Sequence, residues 1–438
     1  MVLASRTLRL GVATAIVLGL ATAPVALAVD SGKAWSFNSF EDYLRSDLFR
    51  ESEGRCGTPE AWVRNQIYGV APDPSDCNAS STNPSDDYLP DDIWQIDVVV
   101  HILMDNSCNN GQISDALVQT QIDILNEDFQ AIMGSNGENG NDSRIVFALA
   151  TEDPQGNPTN GITRSCNTTW YNDGGQYYNS LAWDPNRYLN IYTNNTFALG
   201  YVPFLPADAG GIFVGGNSDR VVVYWQAFGL NGPIGPPYNK GRTATHEVGH
   251  YLGLEHTFNG GCGIGDKPGC YTSGDLICDT NPESSPTYSP CFLGAKATCG
   301  STDPSDNYMD YSDDLCMEKF TIEQVRRNRC TMQFYRPDLI NNLGPGPTVS
   351  IDSITPCQAN TNNTWNLSGA TPNGDVTVEC NVQGFQNIVT VGTDTADAAG
   401  FADVGRFIPP QASGRSLECL VIDEATGGKS PRIIKTFP

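Results

Sequence analysis

Apolar positions along the chain switch between two periods, and the switches mark the elements. Residues 96–103, 145–149, 188–192 and 221–225 are apolar or alternating runs of strand length. Between the first two, Leu117, Val118, Ile122, Leu125, Phe129 and Ile132 share one face at helical spacing, with Ser114 placed to cap their start. Strands backed by such a helix predict a mixed α/β (α+β) sheet domain. Residues 242–256 read as a second helix, followed by a cysteine-rich, loop-dominated stretch to Cys316. Thr321 and Gln324 have the spacing of a capping box that opens a third helix, ending before Pro337. Gly344-Pro345-Gly346-Pro347 reads as a linker, and residues 376–380, 388–391 and 417–422 beyond it are short alternating segments suited to a small all-β sandwich over 348–438.

The first residues follow a different pattern. Arg6 and Arg9 precede a mostly apolar run, and Ala26-Leu27-Ala28 offers a small-residue cleavage site, so 1–28 reads as an export signal. A membrane anchor is the competing reading, because the stretch is about long enough to span a bilayer; Pro24 and the cleavage site favour removal. No later segment is apolar enough to span. Residues 29–92 are polar, with a helical-looking start and then a run rich in Asp, Pro and Ser, which suits a pro-segment and linker.

Composition narrows the function classes. All 14 cysteines follow the cleavage site, and an even count in an exported chain reads as a disulfide framework in an oxidising compartment. A formal net charge of -25 repels phosphate backbones and anionic lipids, which excludes nucleic acid as a partner class. A secreted monomer is expected.

The candidate chemistry is concentrated in one place. Of four histidines, three lie in His246-Glu247-Val248-Gly249-His250-Tyr251-Leu252-Gly253-Leu254-Glu255-His256. His246 and His250, four apart on a helix, can present ring nitrogens to one zinc ion with Glu247 beside them as general base. His256 lies too far round a continuing helix, so Gly253 must end the helix and return the chain. Three protein ligands leave the fourth zinc position for water, whereas a closed structural site needs a fourth ligand and none is apparent. His101, alone in an apolar strand, reads as a sheet histidine.

The string HEVGHYLGLEH matches the long zinc signature of the metzincins, and Asn307-Tyr308-Met309-Asp310-Tyr311-Ser312-Asp313-Asp314 looks like their methionine turn. With Gly241-Arg242-Thr243-Ala244-Thr245 before the first histidine, Thr257-Phe258 after the third, and Cys316 after the turn, the chain resembles the pappalysin family of metzincin zinc metalloendopeptidases. The resemblance covers roughly residues 95–335 and is tightest at 241–258 and 307–320. It implies a twisted sheet with an active-site helix, a catalytic domain over 93–340, and protein or peptide substrates. Met309 would form the floor beneath the zinc and Tyr311 would hydrogen-bond the reacting oxygen. Asp275, Asp279 and Thr280 fall where relatives bind calcium, although an exposed acidic turn has the same sequence. Leu315 stands where Arg- and Lys-cleaving relatives place an acid, so an apolar pocket is expected. Arg55-Cys56-Gly57-Thr58-Pro59 resembles the leader of family precursors, in which a cysteine thiolate can block the zinc; a Cys56–Cys77 disulfide is the alternative. Against the endopeptidase reading stands a catalytically silent binding or adhesion protein using the C-terminal sandwich.

Overall fold

The apolar run at 96–103 is the core of strand β1 (Asp92–Met104), and the rest of the main sheet is laid against it. The computed structural model describes residues 35–51, 54–69, 77, 88, 90, 92–132, 134–264, 269–288, 295–345, 349–370, 373–382, 388–424, 428–430 and 433–438. The expected export signal, nearly all of 70–91 and part of the Gly-Pro linker lie outside these residues. Strands β2 (Ile145–Leu149) and β3 (Ile162–Cys166) pair in parallel with successive parts of β1, and β4 (Leu189–Asn194) runs parallel along it. Strand β5 (Gly200–Tyr201) pairs antiparallel with β6 (Val221–Tyr224), which itself runs parallel to β4, giving the order β2-β1-β4-β6-β5. A further strand, β7 (Asn341–Pro345), pairs antiparallel with the start of β1. The predicted linker therefore begins inside the sheet, with Pro345 at the strand end, where a missing N–H is tolerated.

Burial along most of β1 explains its nearly continuous apolar sequence. His101 is the exception and is satisfied internally. Its ring stacks on Tyr192 at 4.5 Å, Nδ1 meets Thr163 Oγ1 at 2.7 Å and Nε2 meets Asn190 Oδ1 at 3.0 Å. Burial pushes its pKa down to about 4. This is the sheet histidine expected from the sequence.

Three longer helices cover the sheet and frame the site. The backing helix Asp115–Phe129 is capped by Ser114, which accepts from Leu117 N at 3.1 Å, and buries Val118, Ile122, Leu125 and Phe129 in the main core. It ends at Phe129, so Ile132 belongs to the following turn. The site helix is Arg242–Tyr251, shorter than the expected 242–256, because the chain turns at Gly253. The helix Ile322–Tyr335 opens with the predicted capping box: Thr321 Oγ1 accepts from Gln324 N at 3.2 Å and Gln324 Oε1 accepts from Thr321 N at 2.9 Å.

A second apolar core, including Trp365, Leu367, Val376, Val378, Val421 and Phe437, fills the C-terminal β region. Asp375–Val382 pairs antiparallel with Ile388–Thr395 and Ser416–Asp423, while Thr361–Ser368 lies between Ala402–Ile408 and Ser350–Thr355. Disulfides join Cys77–Cys330, Cys108–Cys166, Cys262–Cys299, Cys270–Cys278 and Cys380–Cys419. Cys316 is also disulfide-bonded, whereas Cys56 and Cys357 are free. The alternative Cys56–Cys77 bridge is thus not formed, since Cys77 is committed to the helix Ile322–Tyr335. No helix among the described residues is long and apolar enough to cross a membrane.

Candidate active site

The site helix is buried along its whole length and turns His246 and His250 to one side. Past its end, Gly253 takes φ 95°, and its N–H donates to His250 O at 2.9 Å while Leu254 N donates to Gly249 O at 3.0 Å. That left-handed residue reverses the chain and brings His256 back to the same point. His250 Nε2 then lies 3.1 Å from His246 Nε2 and 3.0 Å from His256 Nε2.

Hydrogen bonds on the opposite ring nitrogens fix what those three atoms can be. Nδ1 of His246 faces Tyr308 O at 2.6 Å, Nδ1 of His250 faces Leu254 O at 2.7 Å, and Nδ1 of His256 faces Glu60 Oε1 at 3.1 Å. Each of those oxygens only accepts, so each Nδ1 carries the proton and, in the neutral ring, Nε2 keeps a bare lone pair. Burial holds His246 and His250 well below the usual histidine range, keeping both neutral. Three converging lone pairs repel one another unless a cation lies among them. The spacing also suits one, because nitrogens about 2.0–2.1 Å from a tetrahedral zinc stand roughly 3.3 Å apart. Cys56 Sγ joins them, and the four candidate ligand atoms all lie within 4.8 Å of one another.

Glu247 is buried beside this cluster. Its Oε2 accepts from Thr58 Oγ1 at 3.1 Å and Cys56 Sγ at 3.5 Å, while Oε1 is buried with no hydrogen-bond partner. Burial lifts its pKa to about 8 against the opposing pull of Cys56, Thr58 and Arg55. Room for the carboxylate depends on Gly200 of β5, where an added Cβ would stand 2.7 Å from Glu247 Cγ and 3.0 Å from Oε1. Below the histidines, Met309 is fully buried and its sulfur would be only 2.5 Å from a Cβ at Gly249, so it packs directly under the site helix. Tyr311 Oη reaches His256 Nε2 at 3.2 Å. Asp128 of the backing helix joins the helix to the methionine turn, accepting from Thr245 Oγ1 at 2.5 Å and Tyr308 Oη at 2.8 Å and pairing with Arg242 at 3.0 Å.

The N-terminal leader lies across this cleft. Gly57 N donates to Gly200 O at 2.8 Å and Leu199 N donates to Gly54 O at 2.7 Å, so residues 54–57 add in parallel to the edge beside β5. Arg55 stacks 4.0 Å over the Tyr238 ring and donates to Ser312 O, while Thr58 Oγ1 accepts from Val202 N at 2.9 Å. No separate role for Thr58, Glu60 or Gly200 was legible in the sequence, because Thr58 and Glu60 meet Glu247 and His256 across 189 and 196 residues and Gly200 acts through a close approach to Glu247 that only the fold creates. Only the Arg55–Pro59 motif gave a signal.

Two expectations fare differently in the geometry. Leu315 is 65% exposed and does not border the cavity beside Glu247, which is lined by Arg55, Cys56, Thr243, His246, Asp310, Tyr311 and Met317. Its neighbour Asp314 is the buried one, accepting from Lys240 N at 2.7 Å. At the calcium candidate, Asp275 is buried and accepts from Thr280 Oγ1 at 2.7 Å and Ile277 N at 3.2 Å, and burial raises its pKa to about 7. Asp279 instead accepts from Glu323 N at 3.0 Å, at the start of the helix Ile322–Tyr335.

The chain has sequence relatives among extracellular metalloproteases. A peptidase family model described as pregnancy-associated plasma protein-A matches residues 172–333. An extracellular metalloprotease of Verticillium alfalfae is 33% identical over 249 residues, covering 55% of this chain and 76% of that one. Extracellular metalloprotease 1 of Coccidioides posadasii is 34% identical over 240 residues, covering 53% and 75%. Among solved structures, a mutant promirolysin of Tannerella forsythia has 35% identity and a TM-score of 0.49, covering 57% of this chain and 85% of that one. On the strength of the sequence relatives, the chain belongs to the pappalysin family and is a metallopeptidase, a metal-dependent hydrolase of peptide bonds.

Proposed function

We propose that this protein is a secreted zinc endopeptidase made as a latent precursor, with an export signal at 1–28, a pro-segment at 29–92, a catalytic domain at 93–340 and a β-sandwich at 348–438. The observation that carries the reading is the convergence of three unprotonated Nε2 atoms beside the unpartnered Glu247 Oε1. His246, His250 and His256 would hold the metal. A zinc ion bound there supplies a Lewis acid for the peptide carbonyl and lowers the pKa of a water towards neutrality. Glu247 takes the water proton on its carboxylate as the oxygen adds to the carbonyl carbon. It then delivers that proton to the amide nitrogen as the C–N bond breaks. Tyr311 Oη donates to the oxygen on which negative charge develops, and Met309 keeps the floor apolar and fixed. The extracellular names of the relatives support export.

Cys56 supports the precursor reading, because its free thiol stands against Glu247 and within ligand distance of the histidines. The leader that carries it fills the cleft a substrate strand needs. Asp275 and Thr280, with the adjoining carbonyls, are proposed to bind calcium, with Asp279 holding the neighbouring helix start.

The reading is tested by digesting a denatured protein library with the processed wild type and with Glu247→Gln, while zinc content is measured in both. Internal cuts by the wild type alone, with about one zinc per chain in each sample, are expected from general-base catalysis. Zinc-loaded, processed wild type that cuts nothing would overturn it.

A further inference from the structure

We infer that Asp208 and Glu255 form a binding subsite for an arginine or lysine side chain of the substrate, on the His256 side of the cleft. This rests on the endopeptidase reading and adds a substrate preference to it. The subsite shows itself through the leader. Arg64, on the leader helix Ala61–Tyr68, reaches into the body of the protein with only 5% of its side chain exposed. Its Nε lies 2.9 Å from Asp208 Oδ2, Nη2 pairs with Glu255 Oε1, and Nη1 donates to Pro59 O at 2.6 Å. One guanidinium thus pairs with both Asp208 and Glu255.

The two carboxylates belong to the part of the molecule that remains when the leader leaves. Asp208 opens the turn Asp208–Gly211, which follows the rim strand β5, and its Oδ2 is fixed by Leu205 N at 2.8 Å. Glu255 immediately precedes the third histidine. Their side chains are only 14% and 10% exposed, and Glu255 Oε2 is buried with no hydrogen-bond partner even when Arg64 is in place. A cavity of about 190 Å³ adjoins the pair. With Arg64 gone, both acids open to solvent and lose the cation that pairs them, which leaves two converging carboxylates beside a cavity that Arg327 also lines. The guanidinium fork satisfies both acids at once, and a lysine ammonium meets the same charge with less geometric match. The leader passes Cys56 and Glu60 before reaching Arg64, and Glu255 adjoins His256, so the subsite borders the His256 end of the cleft.

The test has two arms. In the first, a peptide library is cut by the processed wild type and by Asp208→Asn, Glu255→Gln and the double variant, with zinc content and Tm recorded for each. The wild type is expected to enrich Arg and Lys at one fixed position on one side of the scissile bond. In the double variant, the ratio of kcat/KM for basic over matched neutral peptides should fall by roughly tenfold or more, the scale of removing a buried charge partner. The absence of enrichment in the wild type, or its persistence in a zinc-loaded double variant, overturns the inference. The second arm needs no proteolysis. A synthetic peptide of residues 54–69 and its Arg64→Ala form are titrated onto processed wild type and onto Asp208→Asn. The Arg64→Ala penalty should be large on the wild type and should shrink several-fold on Asp208→Asn; equal penalties on both proteins overturn the proposal. A preserved cycle in a protein that cuts no peptide would count against the endopeptidase reading and leave the subsite standing.

Discussion

Replacing Gly253 by alanine should both destabilise the protein and impair its metal site, for reasons that can be separated. Gly253 holds φ 95°, and an added Cβ would meet Thr331 Oγ1 at 2.5 Å. The left-handed backbone costs a non-glycine residue about 1–2 kcal/mol, and forcing a methyl into packed surroundings costs about 1–3 kcal/mol more. A total of about 2–5 kcal/mol is therefore expected in urea unfolding of the zinc-loaded protein, together with a lower zinc occupancy because His256 is carried by this turn. Thr331→Gly in the same background removes the Oγ1 contact and leaves the backbone term. The double variant should regain about 1–3 kcal/mol beyond the sum of the single effects. Unchanged stability and zinc content in Gly253→Ala, or strictly additive effects in the double variant, would refute the argument that the turn must be left-handed and closely packed.

Three other outcomes follow from the same geometry. Cys56→Ala in the full-length chain should raise precursor activity and speed self-processing, measured by peptide hydrolysis and gel; no change in either would remove Cys56 from any part in latency. Asp219→Asn should cost about 3–5 kcal/mol in urea unfolding, because it strands Arg336, which is 2% exposed and stacked 3.5 Å over the Tyr251 ring. A shift below about 1 kcal/mol would show that the Arg336 charge finds another partner. Millimolar calcium should raise the Tm of the wild type relative to EGTA by several degrees, while Asp275→Asn should respond little; equal responses would place any calcium elsewhere.

Local pattern made the frame of the fold legible. Strand β1 could be read from its apolar run, the helix Asp115–Phe129 from its face and Ser114 cap, and the helix Ile322–Tyr335 from its capping box. Periodicity alone carries the site helix to residue 256; it was Gly253, read as the end of the helix, that gave the true stop, its turn held locally by His250 O and Gly249 O. Elsewhere tertiary contacts decide. Strands β3, β5 and β7 are too short or too polar to stand out, and each exists because β1 or β6 offers a free edge. At the site, the motif located the histidines, Glu247, Met309 and Tyr311, while Leu315 was placed only by its alignment with relatives, and local pattern does not say that Leu315 is exposed and Asp314 buried. Arg64 meets Asp208 and Glu255 across 144 and 191 residues, a distance no local pattern spans.

The Cys77–Cys330 bridge governs what a proteolytic cut can achieve. Cys77 lies within the proposed pro-segment, beyond the part at 54–69 that occupies the cleft, and is covalently held to the helix Ile322–Tyr335. A single break on the C-terminal side of Cys77 leaves the leader attached to the enzyme through sulfur. It then competes for the cleft at the effective concentration of a short tether, on the order of millimolar, rather than by dilution into solvent. A break between Gly69 and Cys77 frees it to diffuse away. The same bond cleavage count thus produces either a reversible, self-occluding enzyme or a permanently open one, depending on which side of one cysteine it falls.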